Sequence, residues 1–522
     1  MLRQQRAALT AALALGCALA LGGAAAYAAV PRALTFTVTK PTDSFDGACD
    51  ADCSLREAVQ AANAAAGPDT IVLPPGTYTL SLPSATDDES QTVDEDGNAD
   101  GDLDIAGDLK LSGGATVQGG WAGLGADRLF EVLAGAVVTI DGPTLRGGRS
   151  ANDGGALFNA GDLTLRRAVV SENLAASSFN TGDGGGIYNA GALRVIESRV
   201  ERNAARGAEA DLGEGGGIYN AGTLTVTRST ISGNDTSDDN DIGGGGGLFN
   251  TGGATVEGSI ITANSTSVSG RGGGIANRGG ELRLLASSVY ANSAGGGGGG
   301  IANDGAGELV VINSTIYGNS TSGEGGGIAN GDPFAPAPPS PGDRLALTNA
   351  TIADNAGGGL LNIGNATVAN TIIAGNVDSL DSTTGGVNCV SSGSYTSLGG
   401  NVIGLDGNCP VASGDVGVSN TGVFGTVVSP FTTVNGQLVL PLPAGSPAID
   451  ISAANCPATD QRGASRPRDG NGDGSALCDS GAFEAGAAGP KPTSTPKPTS
   501  TPKPTSTPKP TSTPKPTKVP GS

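Results

Sequence analysis

The chain has 522 residues, 89 of them glycine and 30 proline, with aromatics at 3 % and no histidine. Lack of imidazole excludes a Ser-His-Asp or Cys-His nucleophile and an HExxH zinc site, leaving carboxylates, Arg, Lys, Tyr or an oxygen-bound metal for any chemistry. Net charge is −21; six of the 29 bases stand in residues 490–522 and two in residues 1–28, so the part between carries 21 bases against 50 acids, or −29, which repels nucleic acid and anionic lipid.

Residues 1–28 read as a secretory signal: Arg3 and Arg6, an apolar run from Ala7 to Ala26, and Ala26-Tyr27-Ala28 as an A-x-A cleavage site. Cys17 is a weaker lipoprotein acceptor, because Ala14 stands where a larger aliphatic residue is usual. Residues 29–110 then predict an N-terminal cap and the first strands. Ser54 and Glu57 have the spacing of a capping box, and Leu55, Ala58, Val59 and Ala62 form one apolar stripe of a short helix. Asp69-Thr70-Ile71-Val72-Leu73 reads as a strand and Pro74-Pro75-Gly76 as its turn. Further on, Asp96, Asn98, Asp100 and Asp104 alternate around Gly101, a pattern suited to a turn wrapping Ca²⁺. It lacks the acidic twelfth residue of an EF-hand glutamate; Asp108 stands near that place.

Residues 111–384 carry a repeat with a spacing of 26 to 32 residues, read in forms such as GGALFN, GGGIYN and GGGLLN. Its eight copies end on Asn159, Asn189, Asn220, Asn250, Asn277, Asn303, Asn330 and Asn362. A second asparagine follows in each: Asn173, Asn203, Asn234, Asn264, Asn292, Asn319, Asn355 and Asn376. Period-2 segments between them, such as Leu224–Asn234, argue strands, two or three to a repeat. No single repeat can bury its apolar face, so the copies must stack. The stack predicts interior columns Leu163/Leu193/Leu224/Leu282, Leu165/Val195/Val226/Leu284 and Val170/Val200/Ile231/Ile261. It also predicts buried asparagine ladders bonded between coils ~4.8 Å apart. Length variation falls to loops such as Asp235–Ile242 and Pro333–Pro341.

Residues 385–486 lose the repeat and predict a C-terminal cap, with a second Asp469-x-Asn471-x-Asp473-Gly474 pattern for calcium. Six cysteines remain after the signal, and proximity suggests Cys49 with Cys53, Cys389 with Cys409, and Cys456 with Cys478, one of fifteen connectivities. Residues 487–522 repeat PKPTST, which forbids helix and sheet and predicts a disordered polyproline-like stalk. At ~3.1 Å per residue its reach is on the order of 100 Å.

Two motifs flank the repeat: Cys53-Ser54-Leu55-Arg56-Glu57-Ala58, and DQRGASRP (Asp460–Pro467) followed by CDSGAFE (Cys478–Glu484). They resemble the secreted bacterial CSLREA-domain proteins that carry a choice-of-anchor C-terminal region, over about residues 34–486. The resemblance implies an all-β fold, a right-handed parallel β-helix of the pectin-lyase type with N- and C-terminal caps, exported and surface-associated. It brings no catalytic residues.

Two outward features are candidates for binding. The column Phe158, Tyr188, Tyr219 and Phe249 alternates outward and suggests an exposed sugar platform; Asp153, Asp183 and Glu214 form a carboxylate edge. Arg199, Arg202 and Arg228 are the bases available to a lyase, but nothing singles one out. The expectation is an exported, non-catalytic scaffold that adheres to surface protein or binds extracellular or cell-wall polysaccharide. The alternative is a Ca²⁺-dependent polysaccharide lyase or hydrolase on the same fold.

Overall fold

The computed structural model describes residues 32–84, 97–121, 126–176, 182–207, 213–236, 243–332, 342–378, 387–434 and 436–486. The signal, the stalk and Asp96 lie outside them.

The chain winds as a parallel β-helix. One coil runs Ile187–Asn189, Ala192–Ile196, Arg199–Glu201 and Ala204–Arg206, and then the path returns to Ile218–Asn220 above its start. The equivalent strands form sheet III (eleven strands), sheet I (thirteen), sheet II (thirteen) and sheet IV (seven), all parallel. The interior columns stand as the period-2 pattern predicts. Leu163 pairs with Leu193 and Leu193 with Leu224; Val170 pairs with Val200 and Val200 with Ile231. All are buried. Seven coils carry a fourth strand beyond the two or three expected, and these form sheet IV. Sheet IV was hidden because its strands are only two or three residues long, such as Asp235–Thr236, inside stretches that read as loop.

Corners give the repeat its spelling. Each Asn of the first set is buried and donates Nδ2 to the Oδ1 of the next, at 2.7 Å from Asn159 to Asn189 and 2.6 Å from Asn189 to Asn220. This chain of bonds runs on through Asn250, Asn277, Asn303 and Asn330 to Asn362. The second set does more, because the chain bends sharply before it. Arg202 sits at φ 55° in the left-handed region, so Asn203 cannot keep a ladder bond; its amide donates to Asn234 Oδ1 instead. A third ladder, unnoticed in the sequence, joins sheets I and II: the amides of Ser198, Ser229, Ser259 and Ser287 donate to the next serine hydroxyl. The paired glycines are equally constrained. Gly215 has φ 68°, and a Cβ on Gly216 would lie 2.6 Å from the backbone of Asp235.

At the N-terminal end helix α1, Leu55–Ala64, lies against the strands Thr35–Thr37, Asp69–Val72 and Leu103–Ile105. Ser54 and Glu57 form the reciprocal capping box, and Leu55, Ala58, Val59 and Ala62 are buried. Apolar core and paired strand edges thus meet a helix instead of water.

The C-terminal region differs from the expected cap over 385–486. Coil strands continue through Cys389–Ser391, Ser394–Ser397, Val402–Gly404 and Val416–Val418. The chain then turns back along the outer face of sheet II. Leu438 N donates to Ser288 Oγ, Thr315 Oγ1 to Gln461, and Ala482 N to Thr351 Oγ1. The cause is side-chain size: the outward position held by Arg199 in one coil becomes Ser288, Thr315 and Thr351 in later coils, leaving a surface another segment can cover. The three disulfides pair by proximity, Cys49–Cys53, Cys389–Cys409 and Cys456–Cys478. The last two fasten the final coil and the returning segment.

The DQRGASRP and CDSGAFE motifs form the clasp of that segment. Glu484 accepts from the amides of Arg468 and Asp479 and faces Arg466 at 3.5 Å. Asp479 accepts from the amides of Asp450 and Ala485. Arg466 itself donates to the carbonyls of Asp479 and Gly481. Burial, then the neighbouring Asp479, pushes Glu484 up to about 7; burial pushes Asp479 up to about 6. The folded clasp therefore holds protons that an unfolded chain, with carboxyls near 4, releases. Its stability is fullest below about pH 4 and is lost as pH rises to about 7. Clasp opening, followed by amide exchange over residues 437–485, should rise from pH 5 to 8 and rise less in Glu484→Gln. An equal rise in both proteins would remove Glu484 as the titrating group.

Candidate functional site

Sheet III presents one outward column that gathers five of the candidate residues, Asp104 and the four rings. Register places Asp104, Glu131, Phe158, Tyr188, Tyr219, Phe249 and Ala276 one above another on successive coils. The four rings stack nearly parallel, with centroids 5.1, 4.9 and 5.2 Å apart. At one end the Arg128 guanidinium lies 5.3 Å from the Phe158 ring, and at the other Arg278 lies 5.2 Å from Phe249. Both inner rings thus face rings on both sides, and each end ring faces a cation. Phe249 is buried and the other three are half-buried, so the column is not the open platform expected from alternation. A pyranose has no ring face to lie on.

The carboxylate edge behaves alike. Asp153 accepts the amide of Asp183 at 3.0 Å, Asp183 accepts that of Glu214 at 2.8 Å, and Glu214 bonds Arg278 at 3.0 Å. Asp153 and Asp183 each tie their coil to the next, and Glu214 reaches a residue two coils on, rather than the three converging on one point. Burial, and then these carboxylates, raise the pKa of Tyr188 and Tyr219 above the usual phenol range. The bases Arg199, Arg202 and Arg228 pair on the surface with Glu201, Glu201 and Glu197.

The first acidic loop is held in a way its spelling does not show. Asn98 spends its side chain on the backbone of Asp104, and Arg56 donates to the carbonyls of Asp100, Gly101 and Asp102. Among the three predicted ligands that are described, Asn98, Asp100 and Asp104, only the Asp104 carboxylate joins an acidic group, and its companions are Asp102 and Glu131, with carboxylate oxygens within 4.8 Å of one another. Sequence reasoning missed these two because Glu131 arrives from the next coil. Arg128 pairs with Glu131 and stands 3.9 Å from Asp102. The second loop is satisfied internally: Asp469 accepts the amides of Gly472, Asp473 and Gly474, and Asn471 bonds Asp473.

No family model matches the chain, and no curated protein matches it. Among solved structures, it is similar to a pectate lyase at 16 % identity, covering 88 % of this chain and 98 % of that one, with a TM-score of 0.41. A surface adhesin of Streptococcus pneumoniae matches at 11 % identity over 74 % of this chain and 95 % of its own, TM-score 0.29. An alginate lyase matches at 11 % over 78 % and 55 %, TM-score 0.28. No helix among the described residues is long and apolar enough to cross a membrane.

Proposed function

We propose that the protein is an exported, non-catalytic β-helix scaffold of the cell surface or extracellular space, which holds polysaccharide or a surface protein. One observation carries this reading: aromatic, acidic and basic groups on the coils pair along the axis with their own neighbours, instead of converging on one bond to be broken. Three disulfides support an oxidising compartment. Kinship with the CSLREA-domain proteins belongs to the same proposal. It is supported by the structural work of both flanking motifs, Arg56 and Glu57 at one end and Asp460, Arg466 and Glu484 at the other.

Calcium enters the proposal through Asp104 with Asp102 and Glu131, not through the second loop. An ion bound only by the folded state at one hundred times its Kd adds about 2.7 kcal/mol. Sites of extracellular type bind near ~10⁻⁴–10⁻³ M. The melting midpoint should therefore rise between chelator and millimolar calcium, and this rise should vanish in Asp102→Asn with Asp104→Asn. A wild-type midpoint indifferent to calcium removes the ion from the proposal.

The lyase or hydrolase reading is favoured by one feature, the buried Asp102 and Asp104 with the half-buried Glu131 beside Arg128 at the end of the ring column. Incubating the mature protein with a polysaccharide panel, with and without calcium, separates the two. Bond cleavage that is lost in Glu131→Gln overturns the scaffold reading.

A further inference from the structure

The ring stack on sheet III has no open faces, but the returning C-terminal segment carries rings that do. Phe424 and Phe431 are 39 % and 52 % exposed, and both lean on Tyr317 of sheet II. Phe424 meets Tyr317 edge to face at 6.5 Å and Phe431 is tilted by 57° at 5.5 Å, so the three rings do not cover one another as the stacked column does. Gly375 seats this group: it has φ 76°, and a Cβ there would meet Phe424 at 3.1 Å. Burial, and then the nearby half-exposed Asp354, raise the pKa of the Tyr317 hydroxyl above the usual phenol range, so a carboxylate acceptor stands beside the rings.

The surroundings specify the partner. From Val416 to Ile449 the sequence has no Asp, Glu, Lys or Arg, in a chain where 15 % of residues are charged. Instead Thr421, Thr426, Thr432 and Thr433 are exposed around the rings. Open aromatic faces supply apolar contact, hydroxyls and one carboxylate supply hydrogen bonds to hydroxyl groups, and this segment brings no cation to hold an acidic sugar. We propose that Tyr317, Phe424, Phe431 and Asp354 form a binding site for a neutral polysaccharide, the C–H faces of its pyranose rings lying on the two phenylalanines. The site deepens the polysaccharide-binding reading above and rests on it.

Calorimetry on the full mature chain, with a soluble neutral β-glucan and a galactomannan as ligands and polygalacturonate as the acidic control, tests the site. At least one neutral glycan should bind. Phe424→Ala with Phe431→Ala should weaken it about tenfold or more, the scale of losing exposed aromatic anchors. Phe431→Trp should keep binding, and an unchanged melting midpoint in each variant shows that the fold is intact. Neutral-glycan binding untouched by the double variant overturns this site and leaves the polysaccharide-binding reading standing. Binding of polygalacturonate alone overturns the neutral assignment. No binding of any glycan overturns both. A synthetic PKPTST peptide that binds the wild type and not the double variant, while no glycan does, makes the chain's own tail the occupant and defeats the proposal.

Discussion

Replacing Arg56 by methionine should destabilise the N-terminal end by about 3–5 kcal/mol, the range for breaking a buried ion pair by removing one partner. The guanidinium of Arg56 is fully buried and makes five bonds. Two go to Asp43, at 2.8 and 3.1 Å, and three to the carbonyls of Asp100, Gly101 and Asp102, at 2.7, 2.7 and 3.1 Å. Methionine fills a similar space but strands an acid and three carbonyls away from water. Lysine keeps the charge yet has no planar fork, so Arg56→Lys should fall between the two. Because each coil contacts only its neighbours, the damage should stay at that end. Amide exchange should rise across residues 97–105 and helix α1, with the middle coils unchanged. A methionine variant within about 1 kcal/mol of wild type in denaturant unfolding would show that the Arg56 fork is not what holds the loop.

Asn234→Leu should cost a similar amount, about 3–5 kcal/mol, and should act in the middle of the stack. Its Oδ1 accepts the amide and the Nδ2 of Asn203, and its Nδ2 donates to Val200 O and Asn264 Oδ1. Four buried groups lose a partner at once, each worth about 1–3 kcal/mol when orphaned, though the terms do not simply add. Asn220→Leu should cost less, about 1–3 kcal/mol. Its short bonds are one to Asn250 and one from Asn189, and its carbonyl contacts to Gly222 and Gly253 are both 3.3 Å. The ordering is the test. If Asn220→Leu unfolds at lower denaturant than Asn234→Leu, the bond at the left-handed bend does not carry the weight assigned to it.

What the sequence by itself determined is the core and the corners of the repeat. Alternation in Leu224–Asn234 fixes which side chains enter the core, and equal phase in successive copies fixes the register of Leu163 on Leu193 on Leu224. Asparagines and glycines at constant offsets mark corners, because few residues tolerate a left-handed bend or bond a neighbouring coil. The helix at Leu55–Ala64 was equally legible, since capping and an apolar stripe are local. The serine ladder has the same local signature, because Ser198, Ser229 and Ser259 recur at the same phase.

Only the tertiary structure decided how the ends and the surface columns are used. Ser288 meets Leu438 across 150 residues, and no period links them. Phe249 is covered by Arg278, and the acidic group at Asp104 is completed by Glu131; each partner stands on a strand of the next coil, where nothing in the local sequence points to it. Spacing also suggested calcium ligands at Asn98 and Asp469, whereas the folded loops turn those oxygens onto backbone amides. A repeat constrains its neighbours through identical backbone geometry, so its core can be read one coil at a time. Contacts between non-repeating segments depend on which surface happens to be small, uncharged and within reach, and that is settled only once the coils have stacked.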